Sequence, residues 1–192
     1  MVQLDNWLGD AWLALSQHQE TLRHWEEEAK HYQALLKSLD AFAKLDIDLA
    51  LLRRGGRFLD LRVGSVSSAD TSQLESALAL AGYVLQVYHE ETGQSHCLIA
   101  GPKGHEADIL RLLNSAGWHT LEVPPEFSGR PEQVRAQLQQ GLEYAEISHA
   151  QASKLLEQAL EQYRTPLVEA AHLMQHAAPH AELAQQLRAS GG

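Results

Sequence analysis

The sequence has little cysteine, little proline and few positive charges, and each shortage excludes a class of protein. Its single cysteine, Cys97, excludes an internal disulfide and a cysteine-rich metal site, and fits a reducing compartment. Lysine and arginine number 15 against 25 aspartates and glutamates, and the net charge of −10 argues against a nucleic-acid module or docking on an anionic membrane. No apolar run approaches the roughly 20 residues of a membrane span, and the start lacks the features of a signal peptide. We therefore expect a soluble, acidic, cytoplasmic chain, or a soluble piece of something larger.

Glycine and proline divide the chain into three parts. The first, residues 1–56, has one glycine and no proline before a closing glycine pair, as at a helix C-terminus. The second, residues 57–125, has short β-like runs separated by glycine turns. The third, residues 126–192, returns to a helical pattern, in which we expect a bend or break near Pro166 and a further short helix from Pro179.

Both outer parts have a repeat of apolar residues in alternating steps of four and three, which is typical of a coiled coil. The repeat comprises Leu4, Leu8, Ala11, Leu15, His18, Leu22, Trp25, Ala29, Tyr32, Leu36 and Leu39 in the first part, and Leu138, Leu142, Ala145, His149, Ala152, Leu156, Ala159, Tyr163, Pro166, Ala170 and Leu173 in the third. We expect one helix from about residue 3 to 53, paired antiparallel with the returning helix. His18 and His149 interrupt the two seams, where a buried polar residue can fix the register.

The middle part predicts a duplicated β-α-β unit. Strand-like runs begin at residues 58, 83, 96 and 118, and helical stretches at 70–81 and 106–116 separate them. Ala81-Gly82-Tyr83 in the first half corresponds to Ala116-Gly117-Trp118 in the second. A βαββαβ duplication is the ferredoxin-like arrangement, an antiparallel sheet with both helices on one face. The predicted fold class is therefore α+β, a long antiparallel two-helix coiled-coil arm capped by a ferredoxin-like head.

No motif in the sequence requires catalysis. The turn Gly101–His105 joins a strand to a helix N-terminus, where amides favour anions, but it lacks the spacing of a phosphate loop and is more simply a structural turn. The eleven histidines are scattered, without a metal-binding pair at helical spacing. Cys97 stands beside aliphatic residues and is expected to be a buried thiol. Trp7, Trp12 and Trp25 either pack within the arm or face a partner. We predict no catalytic, cofactor or metal site.

The order of these parts resembles the cytoplasmic N-terminal arm of subunit I of V/A-type rotary ATPases, which is called subunit a in eukaryotes. The matching stretches are Leu61-Arg62-Val63-Gly64-Ser65-Val66, Leu74, Leu78, Cys97-Leu98-Ile99-Ala100, Ile109 to Gly117, Leu121-Glu122-Val123-Pro124 and Gly129-Arg130-Pro131-Glu132. These stretches are short, and the resemblance depends on their order and spacing. It covers essentially the whole chain. Ser67 departs from the family pattern, which has proline or a comparable residue there. Members of that family also have another α/β segment near the membrane and a membrane domain that bears the proton-path arginine. This sequence matches neither part, so no proton-path residue is carried over.

The resemblance implies a non-catalytic structural component of a proton-translocating ATPase, at the cytoplasmic face of the membrane. Its head, the distal lobe, would hold a peripheral stalk of subunits E and G and resist the torque of rotation; the membrane domain of the full-length subunit would be the other partner. No cofactor, nucleic acid or direct membrane contact is expected. The candidate contact residues, all expected to be exposed on the head, are Arg57, Tyr83, Tyr88, Glu90 and Glu91. The acidic excess of the head predicts a basic partner surface.

Three other functions remain open at this point. A small-molecule-sensing regulatory module would use the Gly101–His105 turn. An enzyme would use the histidines with a metal ion. A coiled-coil self-assembly protein would pair its apolar seams between copies of the chain and not within one copy.

Overall fold

The computed structural model describes residues 2–190, and the side chains of all of these except 167, 170 and 175–190. The chain divides into two compact units. One unit, which we call the helix pair, consists of the residues up to 30 and from 143 onward; the other, which we call the head, consists of residues 31–142. The two longest helices, α1 (Val2–Leu39) and α5 (Pro131–Ser190), contribute to both units.

The first helix is shorter than the apolar repeat predicted. α1 ends at Leu39 and is followed by a 3₁₀ turn, Asp40–Phe42, and then by a separate helix, α2, at Leu49–Arg54. The expected single helix to about residue 53 is therefore wrong, and α1 is about 57 Å long at 1.5 Å per residue. The chain leaves the helical path because Leu39, Phe42 and Leu49 are all buried in the core of the head.

The last helix is longer than we expected from the positions of its prolines. α5 is uninterrupted from Pro131 to Ser190, so the expected break at Pro166 and the further short helix from Pro179 are wrong. Proline fixes φ near a helical value, and it removes one amide donor from the helix. Pro166 and Gln162 are both exposed, so the helix loses this hydrogen bond at its surface and not in a buried position. Ala170, another predicted seam position, lies outside the described side chains.

Within the helix pair, α1 and α5 run antiparallel. The ring of Trp7 packs edge-on against Tyr163, with centroids 5.8 Å apart, and Trp25 packs in the same way against Tyr144 at 5.5 Å. Residue numbers therefore rise along one helix as they fall along the other, which confirms the predicted antiparallel pairing. The most buried seam positions are small, so the two backbones can approach closely; they are Ala11, Ala145, Ala152 and Ala159.

The head contains a four-stranded antiparallel sheet in the predicted βαββαβ order. Its elements are β1 (Leu59–Ser67), α3 (Thr71–Leu80), β2 (Val84–Glu91), β3 (Gln94–Pro102), α4 (Glu106–Ser115) and β4 (His119–Thr120). The strand order β2-β3-β1-β4, with β1 and β3 central, is that of a ferredoxin-like sheet. β4 is shorter than predicted because Pro124 and Pro125, which have no amide hydrogen, follow it closely.

The internal repeat is visible in how α3 and α4 end. Gly82 and Gly117 have positive φ angles of 79° and 74°. The amide of Tyr83 donates to the carbonyl five residues earlier at 3.0 Å, and the amide of Trp118 does the same at 3.0 Å. A left-handed glycine followed by such a bond is a Schellman motif, which favours glycine because a Cβ is disfavoured in the left-handed conformation. The two halves that correspond in sequence therefore also end their helices in the same way.

Both faces of the sheet are covered. One face packs against α3 and α4 around Cys97, Ile99 and Leu78. The other packs against the end of α1, α2 and the start of α5, where Phe42 and Phe127 are fully buried with rings 6.0 Å apart. The head therefore has three layers, and the third comes from segments that the sequence assigned to the arm.

Asp48 joins the start of α2 to the turn before α5. Its Oδ1 accepts hydrogen bonds from the amides of Ala50 and Gly129, both at 2.9 Å, and the amide of Leu49 donates to the Gly129 carbonyl at 2.8 Å. These two amide donors stabilise the ionised carboxylate and lower the pKa of Asp48. The two segments that complete the third layer are thus fixed to each other.

Candidate partner-binding surface

The exposed members of the predicted contact set lie at two ends of the sheet. Arg57 precedes β1, whereas Glu90 and Glu91 end β2, and all three are exposed. β1 and β2 both run antiparallel to β3 on its two sides, so the start of β1 and the end of β2 lie at opposite ends of the sheet. The separation is about 27 Å, the length of β1. One small contact cannot include both ends.

Tyr83 is not on the surface, and the expectation that it would be exposed is wrong. Only 2% of the residue is accessible. The Schellman turn directs its ring inward over Gly101 of β3, where an added Cβ would lie 2.3 Å from the ring. Its hydroxyl is within hydrogen-bond distance of Asp60 Oδ2 (2.9 Å) and the Pro102 carbonyl (3.0 Å). Burial, with the bond to Asp60, raises the pKa of Tyr83 to about 12.

Tyr88 is half-buried and has an internal partner. The β2–β3 register shifts between Val87 and His89, which leaves Tyr88 at a β-bulge. Its hydroxyl donates to the carbonyl of Ala41 at 2.7 Å, and burial raises its pKa. The expectation of a freely exposed Tyr88 is therefore wrong too. The contact roles of Arg57, Glu90 and Glu91 stay predictions.

The Gly101–His105 turn is explained by contacts within the chain. Gly101 accommodates the Tyr83 ring. The amide of Gly104 donates to both carboxylate oxygens of Glu106, each at 3.1 Å, and backbone amide bonds lower the pKa of Glu106. The chain thus supplies its own anion at the start of α4, and the feature that favoured a small-molecule sensor has a structural explanation.

The histidines and the cysteine of the described residues are not gathered into a metal site. His89 and His96 stack with centroids 5.6 Å apart, but no cluster of three or more potential metal ligands exists in the part of the chain that the structure describes. His18 and His149 are half-buried in the helix pair. Cys97 is fully buried, as predicted, and burial raises the pKa of its thiol to about 11.

The three tryptophans of α1 differ in their surroundings. Trp7 and Trp25 pack against tyrosines of α5, whereas Trp12 is 70% exposed. Trp7 and Trp25 therefore pack within the helix pair, and contact of Trp12 with a partner stays a prediction. Among the described residues, no helix is both long enough and apolar enough to span a bilayer.

Comparison with known proteins relates this chain to others by fold alone. No protein-family model and no curated protein matches the sequence. A solved structure that does match is the crystal structure of the cytoplasmic N-terminal domain of subunit I, homologue of subunit a, of V-ATPase. The TM-score is 0.56 at 15% sequence identity, over 84% of this chain and 56% of that one. This chain therefore spans little more than half of the solved domain, and the two have a similar fold.

Proposed function

We propose that this chain is a non-catalytic structural component of the stator of a V/A-type rotary ATPase, comparable to part of the cytoplasmic region of subunit I or subunit a. The observation that carries the proposal is the fold similarity over 84% of the chain, at a TM-score of 0.56. Because the sequence identity is 15%, the similarity supports the fold alone, and the physical properties of the two units provide further support.

The helix pair has properties suited to bearing load. Its two helices meet through a seam of buried alanines, with aromatic contacts between Trp7 and Tyr163 and between Trp25 and Tyr144. Bending such a pair requires these contacts to slide past one another, whereas a single exposed helix has no such resistance. A stator must resist torque, and it needs no cofactor for that purpose.

The head has properties suited to docking. It has a covered sheet and a core on each face, so its surface side chains stand on a fixed base. In the proposed role the partners are the peripheral stalk subunits E and G, on the cytoplasmic side of the membrane, and the membrane domain of a full-length subunit is the other attachment. The exposed charges at the two ends of the sheet, Arg57 and the pair Glu90 and Glu91, are the candidate contacts.

The test is a calorimetric titration of the intact chain with a purified E–G heterodimer. We compare the wild type with Arg57→Glu, with Glu90→Lys/Glu91→Lys, and with Arg23→Glu, a surface change in the helix pair. Circular dichroism of each variant establishes that it is folded. We expect the wild type and Arg23→Glu to bind equally, and at least one head variant to bind tenfold or more weakly. Absence of binding by the wild type would contradict the partner assignment, and equal binding by all variants would contradict docking through the head.

A further inference from the structure

A group of exposed cations surrounds two exposed apolar side chains where α2 meets the sheet. Phe58 is 76% and Leu59 51% accessible, and the two are adjacent in sequence. Arg54, Arg57 and Lys103 are exposed around them. We call these five residues the basic-apolar patch.

Backbone and side-chain contacts bring Arg57, Phe58 and Lys103 together, and Arg54 and Leu59 flank them in the chain. The amide of Lys103 donates to the carbonyl of Phe58 at 3.2 Å, which joins the β3–α4 turn to the start of β1. The Nζ atom of Lys103 lies 3.9 Å from where a Cβ on Gly55 would stand, next to Arg54. The guanidinium carbon of Arg57 lies 5.7 Å from the centroid of the Phe58 ring, in a cation–π contact.

The three cations of the patch form no close ion pair, although the charge of Arg54 contributes to the lowered pKa of Asp48. Among the described residues, none of them forms an ion pair with a carboxylate, whereas Arg23, Arg62, Arg111, Arg130, Arg135 and Arg164 all do. The carboxylate of Glu106 is near enough to respond to Lys103, but it is engaged with the amide of Gly104. In a chain with a net charge of −10, this is a local reversal of sign.

We propose that the basic-apolar patch is a docking site for a protein segment that presents an apolar anchor flanked by acidic side chains. The anchor covers Phe58 and Leu59, while its carboxylates pair with Arg54, Arg57 and Lys103. The charge of the patch is opposite to that expected for the head as a whole, so the partner here is acidic and not basic. The guanidinium of Arg57 remains stacked on the Phe58 ring when it binds a carboxylate, so the Arg57 side chain loses little conformational entropy on binding.

Other anionic surfaces fit the patch less well. Polybasic membrane-binding segments have four to eight clustered cations, and a chain of this net charge is repelled by anionic lipid outside so small a region. Nucleic-acid sites typically neutralise about six to ten phosphates, and three cations beside one exposed aromatic ring do not reach that. A protein segment needs only a few such contacts around an apolar centre.

The proposal is tested with the intact chain and a synthetic helical peptide that has Leu and Phe anchors at i and i+4 between glutamates. A control peptide has glutamine at every glutamate. Binding is measured by fluorescence anisotropy, and amide chemical shifts locate it. We expect the acidic peptide to bind and to shift the amides of Phe58, Leu59 and Gly104. We also expect Arg57→Glu/Lys103→Glu and Phe58→Ala each to weaken binding tenfold or more, while Arg23→Glu, an equal charge reversal elsewhere, has no effect.

Three results would overturn the proposal. The first is no binding of the acidic peptide up to about 1 mM, the weak limit of specific association. The second is equal binding of the glutamine peptide, which would remove the charge requirement. The third is stronger binding to phosphatidylcholine vesicles with about 30% phosphatidylserine, lost in the same variants, which would assign the patch to lipid. Arg57 is a candidate contact in both proposals, but none of these readouts involves the E–G heterodimer, so failure of one proposal is distinguishable from failure of the other.

Discussion

The indole of Trp118 lies directly over Gly64 of β1. A Cβ at Gly64 would stand 2.3 Å from a ring carbon of Trp118 and 2.5 Å from the backbone carbonyl of His119. The same relationship occurs between Tyr83 and Gly101 in the other half of the repeat. Each aromatic ring thus occupies the space that a side chain of the neighbouring strand would fill, and the two glycines are part of the core packing.

Replacement of Gly64 by alanine should therefore destabilise the head. The carbonyl of His119 is backbone and cannot rotate away, so we expect Gly64→Ala to lower the free energy of unfolding by about 2–3 kcal/mol. Gly9→Ala is the matched control, because Gly9 is helical and has open space around it. That variant should be neutral or stabilising by up to about 1 kcal/mol. Urea unfolding followed by circular dichroism gives both values, and equal effects would refute the packing argument.

The tryptophans of α1 provide a similar contrast in the helix pair. Trp25→Ala removes the edge-on contact with Tyr144, and we expect a loss of about 1–2 kcal/mol in unfolding free energy. Trp12→Ala changes a side chain that is 70% exposed, and its effect should stay within about 0.5 kcal/mol. Thermal and urea unfolding, followed by circular dichroism because fluorescence changes with the substitution, compare the two. A larger loss for Trp12→Ala would show that the seam has been wrongly assigned.

The hydroxyl of Tyr88 connects the β2 bulge to the 3₁₀ turn after α1. Tyr88→Phe removes its hydrogen bond to the Ala41 carbonyl and leaves that acceptor without this donor. We expect a loss of about 1 kcal/mol in unfolding free energy. Tyr144→Phe, at a position that is 64% exposed, is the control and should be close to neutral. No difference between the two variants would show that the bond contributes nothing to the third layer of the head.

The raised pKa of Tyr83 predicts an alkaline loss of stability. Its pKa is about 12 in the folded chain against 10.0 for a free tyrosine, so between these values the unfolded chain has released the proton and the folded chain has not. The unfolded state binds fewer protons there, and the free energy of unfolding falls as pH rises from about 10 to 12. Below pH 10 the contribution is fully present.

The measurement is urea unfolding at several pH values between about 9 and 12, with absorbance at the phenolate band as a second probe. Tyr83→Phe should reduce the alkaline slope of stability relative to the wild type. An identical slope in wild type and Tyr83→Phe would contradict the assignment of this proton to Tyr83.

The sequence predicted those features that depend on local chemistry. The duplication was readable because a left-handed glycine followed by an aromatic residue recurs at Gly82-Tyr83 and Gly117-Trp118, where each helix needs the same termination. The pairing of α1 with α5 was readable because a 3.5-residue repeat buries its seam only against another helix. The start of α5 at Pro131 follows from proline's suitability for the first helical turn.

The features that the sequence could not predict depend on tertiary packing. No glycine or proline marks the end of α1 at Leu39, and the apolar residues beyond it continue the same spacing while they enter a different core. Tyr83 has a strand-like place in the pattern, but only the fold shows that its ring covers Gly101. The basic-apolar patch combines residues from two separate segments, 54–59 and Lys103, and so has no continuous signature.

The antiparallel pairing of α1 with α5 inside one chain is the basis of the proposed load-bearing role. Trp7 contacts Tyr163, Ala11 lies four residues after Trp7, and Ala159 lies four residues before Tyr163. In an antiparallel pair these two alanines are opposite each other, and both are buried. In a Cys97→Ala background, oxidation of Ala11→Cys/Ala159→Cys should give an internally cross-linked monomer. The mismatched pair Ala11→Cys/Ala145→Cys, about 21 Å out of register, should give none. Cross-linked dimers from the first variant, or equal cross-linking of the second, would contradict the antiparallel intramolecular pair.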